Sequence, residues 1–385
     1  MPANISLSYT PIDPVSIKKI LDQYEGIPHE SFISGFETKL SEFTKAKYVV
    51  VLSSGTAAIH LALKAVGVGP TDEVVVSTFT YVATINPILY LGARPIFVDV
   101  EEQSWNMDPE LLELAIKDRI NNGSKPKAIL VVHTYGMPAG LAEIIDISKK
   151  YEIPIVEDAA EAIGSNIGGK SVGTFGKIGI LSFNNNKILT TYGGGAILTE
   201  DSQIAEKILF WAGQSRETKM YYEHKELGYN YRMGPINAAV GLSKMDRLET
   251  EISQRRRCFE VYNQALGLYG FHFQKERTGH FSNRWLSSTH LRNNSDVRII
   301  SKILENQGIE TRRVWKPMHM QPVFKGAPFY SSSSYPSPLG EGGQRPDEVV
   351  SEKLFETGLC LPSGSNLSRE DLQRVVSIII KAILK

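Results

Sequence analysis

The sequence has few cysteines, no net charge and no long apolar run. Its two cysteines, Cys258 and Cys360, lie far apart among 385 residues, so the sequence encodes neither a disulfide framework nor a zinc cluster. We expect no metal site. The 42 basic residues balance 42 acidic ones, so no net field gathers nucleic acid or an anionic membrane surface. Small molecules are the expected partners.

The sequence also lacks a segment that would direct it to a membrane. The N-terminal stretch has no apolar core of the signal-peptide kind. The most apolar late stretch, VVSIIIKAIL, is too short to span a bilayer and contains Lys381. We therefore expect no membrane segment and a cytoplasmic location, which the low cysteine content also fits.

Short β-branched segments dominate the region between residues 48 and 199: YVVVL, EVVVS, PIFVD, AILVV, IPIVE, IGILSF and GAILT. Strands that are apolar at nearly every position are typical of sheets buried on both faces, and helical patterns lie between several of them. The prediction is an α/β fold with a mainly parallel, seven-stranded sheet. A long, charged, helix-like stretch follows Pro235. We therefore predict a large domain over residues 1–240, with an N-terminal arm, and a smaller α/β domain over 241–385.

Ligands of open α/β sheets collect at the carboxyl ends of the strands, and two such ends carry phosphate-binding features. Ser54, Gly55 and Thr56 follow YVVVL and open a helix, whose free N–H groups and dipole favour an anion. Ser182, at the end of IGILSF, can add a hydroxyl group. An ordinary helix cap with a tight turn is the alternative interpretation of the first segment.

Two further strand ends offer a ring and an acid. Phe79 and Tyr81 follow EVVVS, where a side-chain ring can stack on a flat cofactor, although either could be a core residue. Asp158 ends a strand that we expect to be buried, so its carboxylate needs a cationic partner such as a protonated pyridine nitrogen. A helix cap is the alternative for Asp158. Glu161 lies one turn further on, where it contacts the same ligand or is solvated.

Lys187 follows three asparagines and precedes a glycine triplet that permits close approach of backbone and ligand. A single lysine is usually a surface charge, but here a phosphate cradle, a stacking ring and a buried acid accompany it, as a cofactor held through an imine would require. The sequence has no G-x-G-x-x-G fingerprint after a strand and no P-loop. His133 has no second ligand at metal spacing, so we interpret it as a hydrogen-bonding residue at a strand end.

These segments resemble the DegT/DnrJ/EryC1/StrS family of nucleotide-sugar aminotransferases over nearly the whole chain. The matching elements are SSGTAAIHLAL, TYVATINPILYLGARPIFVDV, HTYGMP, EDAAEAIGS, GTFGKIGILSFNNNKILTTYGGGAI, GYNYRMGPINAAVGL and GLCLPSGSNLS. Within the family, NRWLSS and ETRRVWKPMHMQPVF look most like the branch that makes 4-amino-4,6-dideoxy-N-acetylhexosamines on UDP, as in bacillosamine synthesis.

The resemblance implies a fold-type I enzyme that uses pyridoxal 5'-phosphate and forms a homodimer with shared active sites. It implies these cofactor contacts: Lys187 as the imine lysine, Asp158 at the pyridine nitrogen, Gly55, Thr56 and Ser182 at the phosphate, Tyr81 stacked on the ring, Glu161 near the ring hydroxyl, and Asn230 of the other subunit at the phosphate. Glu161 departs from the Gln of many relatives. A dehydratase branch has His in place of the lysine, and Lys187 argues against it.

The implied reaction moves an amino group from glutamate to a UDP-linked 4-keto-6-deoxy sugar for surface glycan biosynthesis. Arg284, Lys316 and His319 are candidates for the sugar-nucleotide side, with surface charge as the alternative for each. Two other functions stay open from the residues alone. Another fold-type I enzyme, a lyase or aldolase acting on an amino acid, would need the same cofactor residues, and a non-catalytic sugar-binding relative could retain the fold.

Overall fold

A computed structural model describes residues 4–8, 10, 18, 22, 29–333 and 349–384. Its strands in chain order are β1 (Tyr48–Leu52), β2 (Glu73–Ser77), β3 (Arg94–Val98), β4 (Ala128–Val132), β5 (Ile155–Asp158), β6 (Asn166–Ile167), β7 (Lys170–Ser171), β8 (Ile178–Ser182), β9 (Gly195–Thr199), β10 (His272–Phe273), β11 (His280–Phe281), β12 (Ser287–His290), β13 (Arg312–Arg313), β14 (Phe329–Tyr330) and β15 (Gly358–Leu361).

The α-helices are α1 (His29–Thr44), α2 (Gly55–Ala65), α3 (Val82–Tyr90), α4 (Pro109–Asn121), α5 (Leu141–Tyr151), α6 (Ser202–Ala212), α7 (Pro235–Lys244), α8 (Leu248–Leu266), α9 (Asn294–Asn306), α10 (Val350–Thr357) and α11 (Arg369–Ile383). No helix in the described ranges combines the length and apolar character that crossing a membrane requires.

The large sheet has the strand order β1-β9-β8-β5-β4-β2-β3-β14 within the described part of the chain. Strand β9 pairs antiparallel with both neighbours, and the other pairs are parallel. The predicted mainly parallel α/β sheet is confirmed, and all seven predicted strands belong to it. The sheet has eight strands and not the predicted seven, because β14 also pairs with β3 and places Phe329 opposite Phe97. A two-residue strand is too short to leave an apolar run in the sequence.

Helices cover both faces of this sheet because its strands are apolar on both faces. Val74 and Val76 of β2 pack with Ile59 of α2 in one hydrophobic cluster. Val75, between them, packs with Leu112 of α4 in another cluster. This alternation follows from the two-residue period of a strand. Burial of both faces leaves the strand ends as the place where polar groups meet a ligand.

The C-terminal part forms a second, four-stranded sheet in the order β10-β12-β15-β13, with antiparallel pairs throughout. Tyr262 of α8, Leu304 of α9 and Val375 of α11 share a separate hydrophobic cluster. The domain boundary at residues 240/241 stays a prediction. Strand β14 lies beyond that boundary in the sequence and nevertheless pairs with the large sheet.

Candidate active site

A cavity of about 360 Å³ lies at the carboxyl ends of the large sheet's strands. Its walls are formed by the ends of β5 and β8, the start of α2, and the loop between β8 and β9. Its lining includes eight of the residues that the sequence singled out: Ser54, Gly55, Thr56, Tyr81, Asp158, Glu161, Ser182 and Lys187.

The first side of the cavity is the start of α2. Ser54 caps this helix, and its hydroxyl accepts a hydrogen bond of 3.0 Å from the backbone N–H of Ala57. Gly55 lets the chain approach β8, because a Cβ at this position would lie 2.9 Å from Cβ of Ser182. The first N–H groups of a helix have no partner within it, and they point with the helix dipole toward an anion. A phosphate group therefore suits this end of the cavity, beside the Ser182 side chain.

The second side is the buried carboxylate of Asp158. Its Oδ2 accepts a hydrogen bond of 2.8 Å from the Thr84 hydroxyl, and its Oδ1 accepts one of 3.1 Å from the Ala160 N–H. Burial raises the pKa of Asp158 above its ordinary value, and these two donors oppose the shift. No basic side chain in the described ranges forms an ion pair with it at close range. A bound cationic group would complete the pairing of this acid.

The third side is an ion pair between Lys187 and Glu161. The Lys187 Nζ lies 3.1 Å from Oε1 of Glu161, and Oε2 of Glu161 accepts 2.9 Å from the backbone N–H of Tyr135. Burial raises the pKa of Glu161 to about 7, although the Lys187 ammonium opposes the shift. The Glu161 carboxyl group can therefore gain or lose a proton near neutral pH beside an amine.

The loop that carries Lys187 is held by side chains from distant parts of the chain. The Thr10 hydroxyl donates to the Lys187 carbonyl at 3.0 Å, and the Trp285 indole N–H donates to the Asn186 carbonyl at 2.9 Å. The fully buried Arg255 donates to the Thr10 hydroxyl at 3.2 Å and to the Trp285 carbonyl at 2.9 Å. These contacts hold the backbone of Lys187 in place, so the position of its Nζ depends on residues outside the cavity.

The sequence interpretation missed two tryptophans that line the cavity, Trp285 and Trp315. The ring centre of Trp285 lies 4.2 Å from Nζ of Lys187, and the ring of Trp315 lies 6.3 Å from that of Tyr81. Both stand in motifs that the sequence had marked for charge, NRW and WKPMH. The signal available in the sequence was the tryptophan in each motif, because a large apolar side chain is unexpected in a polar segment.

Arg284 is placed in the interior and does not line the cavity. Its guanidinium lies 3.6 Å from the ring centre of Phe259 and donates to the Gln274 carbonyl at 3.0 Å, and the residue is 5% exposed. Neither the predicted substrate contact nor its alternative, a surface charge, matches this position. Arg284 has a left-handed φ angle of 52°, and the next residue, Trp285, lines the cavity.

His319, Lys316 and Asn230 also lie outside the lining of the cavity. The His319 ring bonds Thr78 through Nδ1 at 2.7 Å and Glu352 through Nε2 at 3.0 Å, so both its nitrogens have protein partners. Lys316 is half-buried, and Asn230 is exposed in a bridge to Gly213.

His133 is the polar residue that directly follows β4. Its Nε2 lies 3.0 Å from Oε2 of the buried Glu157, and its Nδ1 accepts from the Ala139 N–H at 3.1 Å. The interpretation of His133 as a strand-end hydrogen-bonding residue is confirmed. Within the described ranges, no group of three His, Cys, Asp or Glu side chains could hold a metal ion.

Comparisons with known proteins show which family the chain belongs to. Residues 16–380 match the DegT/DnrJ/EryC1/StrS aminotransferase family. EpsN of Bacillus subtilis (strain 168), provisionally described as a pyridoxal phosphate-dependent aminotransferase, is 42% identical over 354 residues, 92% of this chain and 88% of EpsN. GDP-perosamine synthase of Escherichia coli O157:H7 is 36% identical and the match covers 89% of this chain and 87% of the synthase. A solved DegT DnrJ EryC1 StrS aminotransferase from Brucella abortus superposes with a TM-score of 0.85 at 31% identity, covering 96% of this chain and 95% of that one.

Proposed function

Because this chain belongs to the DegT/DnrJ/EryC1/StrS aminotransferase family, we propose that it transfers an amino group to C4 of a UDP-linked 4-keto-6-deoxy-N-acetylhexosamine. The chain is a pyridoxal-phosphate-dependent sugar aminotransferase of fold-type I. Glutamate is the proposed donor, and surface glycan biosynthesis is the proposed use of the product. One observation carries the proposal: Lys187, Asp158 and Glu161 meet in one cavity with the helix start at Gly55.

The donor set of the cavity fits pyridoxal 5'-phosphate. The start of α2, with Gly55, Thr56 and Ser182, offers N–H and hydroxyl groups to the phosphate. Asp158 offers a buried carboxylate without an ion-pair partner to the protonated pyridine nitrogen. Tyr81 offers a ring and Lys187 an amine. When bound, the cofactor supplies an electron sink for the bond that breaks at the substrate carbon.

Each of these residues then has a defined task. Asp158 keeps the pyridine nitrogen protonated, because a buried carboxylate is stabilised by a cation beside it. Lys187 holds and moves the proton at the reacting carbon as general base and then general acid. Glu161 holds Nζ of Lys187 in place at 3.1 Å and can itself store a proton near neutral pH. The Trp285 ring, whose centre lies 4.2 Å from Nζ, covers one side of the amine.

The choice of UDP and of C4 is the finer part of the proposal. It is supported by the NRWLSS and ETRRVWKPMHMQPVF segments, which resemble the UDP-linked 4-amino-4,6-dideoxy branch. Two relatives are named for UDP-linked oxo sugars, UDP-2-acetamido-2-deoxy-3-oxo-D-glucuronate and UDP-N-acetyl-3-dehydro-alpha-D-glucosamine. Because GDP-perosamine synthase is also a relative of this chain, a GDP-linked sugar is the main alternative to the proposed UDP-linked acceptor.

A homodimer with shared active sites is part of the same proposal. Asn230 is exposed and lies outside the lining of its own chain's cavity, so it is free to reach a second copy. Several large apolar side chains are also exposed between residues 220 and 236, among them Met220, Tyr222 and Leu227. Such side chains are typical of a surface that a second subunit covers.

The decisive experiment incubates the purified enzyme, loaded with pyridoxal phosphate, with glutamate and a panel of nucleotide-linked keto sugars. The panel pairs UDP with GDP, and 4-keto with 3-keto sugars. Mass spectrometry identifies the aminated product, and NMR gives the position and stereochemistry of the new amine. We expect amination of the UDP-linked 4-keto-6-deoxy sugar. Preferred amination of a GDP-linked or 3-keto sugar would replace the proposed acceptor and leave the family assignment in place.

A further inference from the structure

Trp285 and Trp315, which we call the tryptophan wall, line the cavity beside the reactive lysine. The ring centre of Trp285 lies 4.2 Å from Nζ of Lys187. A carbon that exchanges a proton with Lys187 must come within hydrogen-bond reach of Nζ. The reacting carbon of a substrate therefore lies close to Trp285.

Contacts within the protein hold the wall rigid. The Trp285 indole N–H donates to the Asn186 carbonyl at 2.9 Å, which fixes the orientation of that ring. The buried Tyr135 ring stacks on Trp315 at 4.2 Å and lies 6.2 Å from Trp285 at a shallow angle of 22°. The backbone N–H of Trp315 donates to the Tyr135 hydroxyl at 3.0 Å. Two flat rings are thus fixed before any ligand arrives, as a specific binding surface requires.

The wall is an aromatic, apolar side of a cavity whose lining also contains polar groups. Ser54, Thr56, Ser182 and Asn184 contribute hydroxyl and amide groups elsewhere in the lining. Lys187 is the sole basic side chain among the lining residues that the structure describes. A carboxylate pressed against the two indole faces would lose its hydration, and the one basic side chain of the described lining, Lys187, is needed there to move the proton, so this contact is unfavourable. The part of a substrate that contacts the wall is therefore apolar and uncharged.

We propose that the tryptophan wall binds the apolar face of the acceptor hexose and that the C6 methyl group of the sugar packs against its indole rings. This inference rests on the proposed function. A pyranose ring presents C–H groups on its faces, and a methyl group at C6 adds apolar area where a hydroxymethyl or carboxylate group would bring a polar one. Glutamate has two carboxylates and offers no apolar surface comparable to that of the sugar.

Calorimetry of the holoenzyme with two ligands tests the wall. One ligand is the nucleotide-linked 4-amino-6-deoxy product and the other is the free nucleoside diphosphate, which lacks the hexose. For Trp315→Ala we expect about tenfold weaker binding of the amino sugar, equivalent to about 1.4 kcal/mol, because the change removes a flat aromatic contact and its buried area. Binding of the free nucleotide is expected to stay within about twofold. Trp315→Phe keeps a flat ring and is expected to restore most of the affinity.

Trp105→Phe is the matched control, because Trp105 is a buried tryptophan outside the cavity lining. Any change of affinity in this variant reports the effect of replacing a tryptophan in the interior. An equal loss of affinity for both ligands in Trp315→Ala overturns the proposal, since the wall then contacts the nucleotide. A slower donor half-reaction with unchanged amino-sugar affinity overturns it as well. If the wild type binds a GDP-linked sugar instead, the proposed acceptor fails and the wall is tested with that sugar. If it binds no nucleotide-linked sugar of the panel, both proposals fail.

Discussion

Lys187 and Glu161 form a buried ion pair in which Nζ lies 3.1 Å from Oε1, and the second carboxylate oxygen of Glu161 accepts from the Tyr135 N–H. The Tyr135 backbone is left-handed, with φ of 55°, so this donor is held in a conformation that costs free energy for a residue with a large side chain. The amine of the site is thus positioned by a carboxyl group that is itself fixed. That arrangement makes the pair sensitive both to substitution and to pH.

Replacing Lys187 with Ala is expected to abolish transamination while the fold is retained, because the change removes both the imine anchor and the proton carrier. The measurement is turnover with glutamate and the accepted sugar, together with the circular dichroism of the variant. Borohydride treatment of the wild type is expected to fix the cofactor to the peptide that contains Lys187. A label on another lysine, or retention of about a tenth of the activity, would contradict the assignment.

Glu161 makes the stability of the cofactor-free protein depend on pH. Burial raises the pKa of Glu161 from its ordinary value of 4.5 to about 7, so between these values the folded state holds a proton that the unfolded state has lost. The unfolding free energy therefore falls as pH rises from 4.5 to 7 and is lowest above pH 7. Relative to Glu161→Gln, which cannot titrate, the wild type is expected to lose about 3 kcal/mol over this window.

Thermal unfolding of both proteins at matched pH values measures this difference. The comparison between wild type and Glu161→Gln cancels the titration of other groups, provided that they behave alike in the two proteins. Parallel pH profiles would show that Glu161 stays ionised in the folded protein through its contact with Lys187. In that case the carboxyl group would position the amine without storing a proton.

The sequence identified residues at strand ends that meet in the cavity, whereas Arg284, Lys316 and His319 lie outside its lining, for a physical reason. Residues at strand ends, such as Asp158 and Lys187, inherit their position from the sheet, and a strand can be recognised from its apolar run. Arg284 and His319 belong to loops of the second half of the chain, whose course depends on tertiary packing. Their charge suggested a substrate contact, yet the structure places Arg284 on Phe259 and gives both His319 nitrogens protein partners.

Asp158→Asn separates cofactor binding from catalysis. The amide retains the size of the side chain and can still accept from Thr84, but it cannot hold the pyridine nitrogen protonated. We expect retained cofactor binding and a single-turnover rate lower by about two or more orders of magnitude. Thr84→Val is the matched control, since it removes one hydrogen bond to the carboxylate and leaves the charge. An unchanged rate in Asp158→Asn would identify the acid as a helix cap.

Arg255 is a positioning residue that acts on Lys187 through Thr10. Thr10→Val removes the hydroxyl that donates to the Lys187 carbonyl and accepts from Arg255, with little change of shape. We expect kcat to fall about tenfold with KM nearly unchanged, and the visible absorbance band of the bound cofactor to shift. Thr10→Ser is expected to restore both. Arg257→Ala, which changes an exposed arginine of the same helix, serves as the control. Equal effects in the control variant would contradict the assignment.

The shared active site can be tested by mixing two inactive proteins, Lys187→Ala and Asn230→Ala. If both residues serve one site from different chains, a mixed dimer contains one site with both lesions and one site with none. Random and equal mixing makes half of the dimers mixed, so activity is expected to return to about a quarter of wild type. If both residues serve a site from the same chain, every site carries one lesion and activity does not return. Subunit exchange is verified by native mass spectrometry with an isotope-labelled partner. Exchange without recovery would overturn the shared site, because recovery requires the exposed Asn230 of one chain to act in the cavity of the other.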